Sequence, residues 1–164
     1  YALELQVTKN NYELYIVSEN SQCISNSYRK LFNLKEKTRH YHNAMVRLMN
    51  RMGPHSKVGN FLSKKIERRN AFLAEIESTI EHDLVVENSL LIQRPIALYW
   101  LKEDLLLNVP SQNSAFEIIR HADIKSYEEY GYLLKSFNIP ECAKILATRH
   151  RKILHEEVLI DPLN

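Results

Sequence analysis

The chain has 164 residues and a mass of 19.3 kDa, 45% hydrophobic and 26% charged, enough for one folded domain with its own core. Three glycines and five prolines are too few for a many-turned sandwich or barrel, and long helices are expected instead. Twenty-two basic against 20 acidic residues leave a net charge of +2, too even a balance to mark a nucleic-acid binder.

Cys23 and Cys142 lie far apart with no metal-ligand spacing, and read as free, partly buried thiols of a reducing compartment. The longest apolar runs, such as Ile96 to Leu101, fall far below the roughly 20 residues of a membrane span. No signal peptide is visible, and a cytoplasmic location is expected. The chain begins with Tyr1 rather than Met, so targeting information upstream of it is not readable.

Residues 1–18 differ from the rest. Tyr1, Leu3, Leu5 and Val7 alternate with Ala2, Glu4 and Gln6, and an Asn10-Asn11 turn separates them from Tyr12 to Val17. The pattern suggests a β-hairpin, with an irregular arm or a helical extension as rivals. The polar stretch Ser18 to Ser27 reads as a linker, so the chain divides into an N-terminal hairpin or arm, 1–25, and a helical body, 26–164.

Four long amphipathic helices follow. The first, from about Asn26 to Met52, carries Tyr28, Leu31, Leu34, Tyr41, Met45, Leu48 and Met52 at helical spacing. Gly53-Pro54 ends it. The second, from about Ser56 to His82, has Ser56 as N-cap and Val58, Phe61, Leu62, Ile66, Phe72, Leu73, Ile76 and Ile80 on its stripe. A short helix around Trp100, Pro95 to Leu107, interrupts the long connection to the third. That third helix starts near Ser114, with Ser114 and Glu117 as a capping box, and carries Phe116, Ile119, Tyr127, Tyr130, Leu134 and Phe137. After the break at Asn138-Ile139-Pro140, the fourth helix, Pro140 to Val158, presents Ala143, Leu146, Ile153, Leu154 and Val158. So short a break predicts an antiparallel partner for the third helix, and the whole predicts an all-α four-helix bundle.

The order of the pieces Leu31-x-x-Leu34-x-Glu36, Phe72-x-x-Glu75-Ile76, Tyr99 to Leu106, Ala115 to Ile119, Asp123, Tyr130, Leu133-Leu134 and His155-Glu156 resembles an uncharacterised bacterial family of ferritin-like bundles. The resemblance covers roughly residues 28–158. It implies a ferritin-like fold and no established activity.

A ferritin-like di-iron centre needs acids from two helices and a Glu-x-x-His pair from each of the other two. Neither pair is present: Ala147 stands three before His150, and Asn70 three after Glu67. The mid-helix inward positions offer Thr38 and His42, Arg69, Asp123 and His150. Arg69 brings a fixed positive charge where a metal needs anions. The expectation is therefore a polar core cluster of Arg69, Asp123, His150 and His42, with Asp123 accepting from Arg69. The alternative is an atypical iron or manganese site built from His150, Asp123 and His42, and a third reading leaves some of these residues on the surface. Lys57, Lys64, Lys65, Arg68 and Arg69 read either as an anion- or nucleic-acid-binding patch or, preferably, as a solvated helix face. The tyrosines Tyr127, Tyr130 and Tyr132 are read as core with anchored hydroxyls rather than as redox groups.

No nucleophile constellation, Gly-rich phosphate loop or Cys-x-x-Cys appears, which argues against an enzyme. Two functions compete: a non-enzymatic ferritin-like structural or interaction module with a degenerate metal site, and an atypical metal-binding redox or stress-response protein of that superfamily; a third, nucleic-acid association through the basic helix, is disfavoured by the net charge of +2. The hairpin and the apolar side chains of Leu98, Trp100, Leu101 and Leu105 need cover, so a homodimer is expected, with no membrane and no nucleic-acid partner.

Overall fold

The computed structural model describes residues 29–82, 99–101, 111–136 and 139–159, and these are all-helical apart from short turns, with no strand among them. The expected N-terminal hairpin and linker, and most of the short helix around Trp100, lie outside the described residues. Residues 99–101 themselves are not helical.

Helix α1 occupies residues 29–52 and α2 spans Lys57–His82. Helix α3 spans Gln112–Leu134 and α4 spans Glu141–Leu159. The turn between α1 and α2 depends on two glycines. Gly53 takes a φ of 96°, a left-handed conformation that favours glycine and ends α1. Ser56 then caps α2, its Oγ accepting from the Gly59 N–H at 3.0 Å. A Cβ on Gly59 would stand 2.2 Å from the Gly53 carbonyl oxygen, so only glycine lets α2 lie this close to the turn. Helix α3 begins three residues earlier than the expected Ser114–Glu117 box. Its N-cap is Ser111, in extended backbone, with its side chain accepting from the Ser114 N–H. Ser111 competes for the same role and satisfies a backbone donor without any help from Glu117.

The side-chain pairings fix the helix directions. Arg39 reaches Glu77 and places α2 antiparallel to α1. Lys30 reaches Ser136, Lys37 reaches Glu129 and Tyr41 reaches Asp123, so α3 is antiparallel to α1 as well. Helix α4 returns antiparallel to both α3 and α2, through Tyr130–His150, Lys65–Glu157 and His150–Glu75. Helices α2 and α3 instead run parallel, because Phe61 packs on Phe116, Arg69 meets Asp123 and Phe72 meets Tyr130 in rising order. Residues 99–101, between α2 and α3 in the chain, lie against α1 and α3: Tyr99 stacks on His40, and Trp100 packs edge-on to Tyr41 and donates its indole N–H to Glu129 at 2.8 Å.

The core runs along the axis through Leu31, Leu34, Tyr41, Met45, Leu48, Leu62, Phe72, Ile76, Ile119, Tyr130, Leu146 and Leu154. Trp100 and Leu101 are part of it, 5% and 2% exposed. This corrects the expectation that a partner chain must cover them: the bundle already does. No helix among the described residues is long and apolar enough to cross a membrane.

Candidate functional site: two buried polar layers

The middle of the bundle is crossed by charges. Arg69 is completely buried on α2, and its Nη2 lies 2.8 Å from Oδ1 of Asp123 on α3. Lys65, one turn before Arg69 and only 5% exposed, donates to the other oxygen, Oδ2. Glu157 of α4, also buried, sits 3.3 Å from the Lys65 ammonium and 3.6 Å from Arg69. Arg68 reaches Glu157 from the half-exposed rim at 3.0 Å. Two buried carboxylates thus face two buried cations, so each charge taken out of water has an opposite charge in hydrogen-bond range.

Neutral groups complete this layer. The Tyr41 hydroxyl donates to Asp123 Oδ1 at 2.9 Å. Burial first, and then the Asp123 carboxylate, push the Tyr41 phenol well above its ordinary range, so it stays a donor. Burial pulls the Arg69 guanidinium down, but Asp123, Tyr41 and Glu157 more than reverse this and hold it above its ordinary value. Ser126 accepts from Arg69 at 3.5 Å and donates to the Asp123 backbone carbonyl. Among the described residues Nε and Nη1 of Arg69 have no hydrogen-bond acceptor. The guanidinium carbon instead lies 5.1 Å from the ring centre of Tyr41 and 5.5 Å from that of Phe72, within cation–π range of both.

A second layer lies one to two turns along. His150 of α4 is fully buried and stacked on Phe72, with ring centres 3.8 Å apart. Its Nδ1 is 2.8 Å from the Tyr130 hydroxyl and its Nε2 is 2.7 Å from Oε2 of Glu75. Arg149 pairs with the same Glu75 oxygen from the surface. Burial drives the His150 pKa down to about 4, against the opposing pull of Glu75. Burial alone would raise Glu75, but its bonds to His150 and Arg149 leave it below the usual carboxylate range. A neutral His150 beside an ionised Glu75 has one consistent proton arrangement. The carboxylate only accepts, so Nε2 carries the proton and Nδ1 is a free base for the Tyr130 O–H. Burial also pushes the Tyr130 phenol up, so it remains protonated.

Of the four residues expected to form one cluster, the fold brings two together directly, Arg69 and Asp123. His150 belongs to the neighbouring layer and shares the Phe72 ring with Arg69. His42 belongs to neither: its Nδ1 lies 3.2 Å from its neighbour Asn43 in an exposed bond. The reason is helical phase. Thr38, Tyr41, Ala44, Met45 and Leu48 are the buried positions around it, and His42 stands about 100° past Tyr41. Thr38 does face inward, but its hydroxyl returns to the Leu34 carbonyl. The solvated-face reading of the basic run fails at two positions, since Lys65 and Arg69 are buried. Cys142, expected to be partly buried, is exposed.

Iron or manganese would not suit this donor set. Both Asp123 oxygens already accept from Lys65, Arg69 and Tyr41, and two cations stand beside them. Among the described residues no group of three or more His, Cys, Asp or Glu side chains is arranged to hold a metal ion.

Sequence reasoning missed Lys65, Glu157, Glu75 and the hydroxyl of Tyr41. The signal was available for the first two. Leu62, Lys65, Arg69, Phe72 and Ile76 lie three or four apart, as do Ala147, His150, Leu154 and Glu157. Compared with protein families, curated proteins and solved structures, the chain matches none.

Proposed function

We propose that the chain is a ferritin-like helical module in which an ion cluster made only of protein stands in the layer where such bundles hold metal. It works as a structural or interaction module, associating with a second copy of itself, rather than as an enzyme. The observation that carries this reading is the pair of buried cations, Lys65 and Arg69, occupying the Asp123 carboxylate at the bundle centre. The connectivity supports the ferritin-like part. Helices α2 and α3 run parallel and are joined by one long crossover, which is the ferritin-like arrangement.

Metal analysis of protein purified without chelator tests the first claim. Substoichiometric iron and manganese are expected; about one equivalent per chain, lost in Asp123→Ala, would replace the module reading with a metal-binding redox protein. Light scattering tests the second: a clean monomer at high concentration would remove self-association.

A further inference from the structure

The Tyr130–His150–Glu75 chain has the connectivity of a proton relay. It starts at a phenol with no exposure, passes through a fully buried imidazole, and ends at a carboxylate whose side chain is 39% exposed. Every link is within hydrogen-bond distance, 2.8 Å and then 2.7 Å. The ionised end fixes the direction, because Glu75 takes the Nε2–H and so leaves Nδ1 as the base facing the phenol. Three elements contribute one group each: α3 the phenol, α4 the imidazole and α2 the carboxylate. Other charges face the relay: Arg149 on Glu75, Arg69 across Phe72 and Glu129 beside Tyr130.

A buried phenol is hard to oxidise alone, because its oxidised form is a strong acid and needs somewhere to send its proton. Here the acceptor is already hydrogen-bonded. We propose that Tyr130 is a proton-coupled one-electron donor, able to hold a shielded neutral tyrosyl radical when it meets a one-electron, outer-sphere oxidant. The electron leaves the Tyr130 ring for the oxidant, which is reduced by one electron. The O–H bond breaks and its proton forms a bond to His150 Nδ1. The imidazole, now protonated at both nitrogens, releases its Nε2 proton to Glu75, and Glu75 passes it to water. The balance is one electron to the oxidant and one proton to solvent. A one-electron reductant with a proton from solvent reverses each step. The ring is walled by Phe72 and His150, so the radical is kept from coupling with a second tyrosine.

The test is flash photolysis of the full chain with a photogenerated ruthenium(III) polypyridyl oxidant, followed by optical and electron paramagnetic resonance detection of tyrosyl radical. Exposed Tyr99 and Tyr132 give a signal that decays by bimolecular coupling, whereas Tyr130 is expected to give a longer-lived component independent of protein concentration. That component should be lost in Tyr130→Phe and kept in Tyr132→Phe, with circular dichroism showing both folded. Glu75→Gln supplies a readout that packing alone would not move. A Gln amide can donate to Nε2, turning the Nδ1 proton toward the phenol and removing the base, so the long-lived component should fall although the helices stay intact. Absence of a long-lived component in the unmodified chain, its persistence in Tyr130→Phe, or an unchanged yield in Glu75→Gln would each overturn the proposal.

Discussion

Replacing Asp123 by Asn tests the central layer most directly. Asp123 is 2% exposed and receives hydrogen bonds from Arg69, Lys65 and Tyr41. The amide keeps the volume but removes the charge, and it turns one acceptor into a donor aimed at a cation. Lys65 retains Glu157 at 3.3 Å, but Arg69 is left with the same carboxylate at only 3.6 Å. Breaking a buried pair in this way costs about 3–5 kcal/mol. For a chain of this size each kcal/mol lowers Tm by about 2–4 °C, so the midpoint should fall by roughly 6–20 °C. Arg69→Met removes the other partner and leaves Asp123 with Lys65 and Tyr41. In the double variant neither partner is stranded, so the loss should be smaller than the sum by about 1–3 kcal/mol. Urea denaturation of the four proteins, with equal slopes, measures that coupling. Additivity within about 0.5 kcal/mol would show that the two side chains do not depend on each other, and the charge-pair account would be wrong.

Stability should also depend on pH through His150. Its folded pKa of about 4 lies below the ordinary 6.5, so the unfolded chain takes up a proton first as pH falls. This contribution is complete above pH 6.5 and is lost between there and about pH 4, roughly 3 kcal/mol in all; His150→Phe should flatten that part of the profile. Gly59→Ala should destabilise by about 1–3 kcal/mol in thermal melts, since its Cβ meets backbone at 2.2 and 2.7 Å. Gly131→Ala is the control: the nearest atoms to its Cβ are those of the Arg151 guanidinium, from 3.1 Å outward, the far end of a long side chain, and the gain in helix propensity should leave stability within about 1 kcal/mol of the parent. Trp100 is the sole tryptophan and is buried, so native fluorescence should be blue-shifted; a solvent-like spectrum from folded protein would contradict its place against Tyr41 and Glu129.

The four long helices, their approximate ends and most of the apolar stripe were readable because a 3.6-residue period repeats over more than five turns in each. The same period carried Arg69, Asp123 and His150 inward. It failed for His42, where one residue of phase separates the core from the rim, and for Ser111, where two serines three apart both suit a cap. The partners were harder. Periodicity says that Lys65 and Glu157 face inward, but a Lys beside Lys64 and a Glu beside Glu156 look like ordinary surface charge in a linear reading. Which inward groups meet depends on the relative stagger of helices far apart in sequence. That stagger split the expected cluster into two layers, giving His150 to Tyr130 and Glu75.

The placement of the buried charges bears on how the chain assembles. The helical hairpin of α1 and α2 supplies the cations Lys65 and Arg69, and the hairpin of α3 and α4 supplies the anions Asp123 and Glu157. Each hairpin has an apolar face that would otherwise stick to any similar face. Two first hairpins placed together would bury four positive charges, and two second hairpins would bury four negative ones, both strongly disfavoured. Only a first with a second is neutral inside. The charges of the layer therefore favour pairing of unlike halves over like-with-like association, a pairing code between the two hairpins. The code does not say whether the complementary half comes from the same chain, so an exchange of hairpins between two chains would satisfy it equally well.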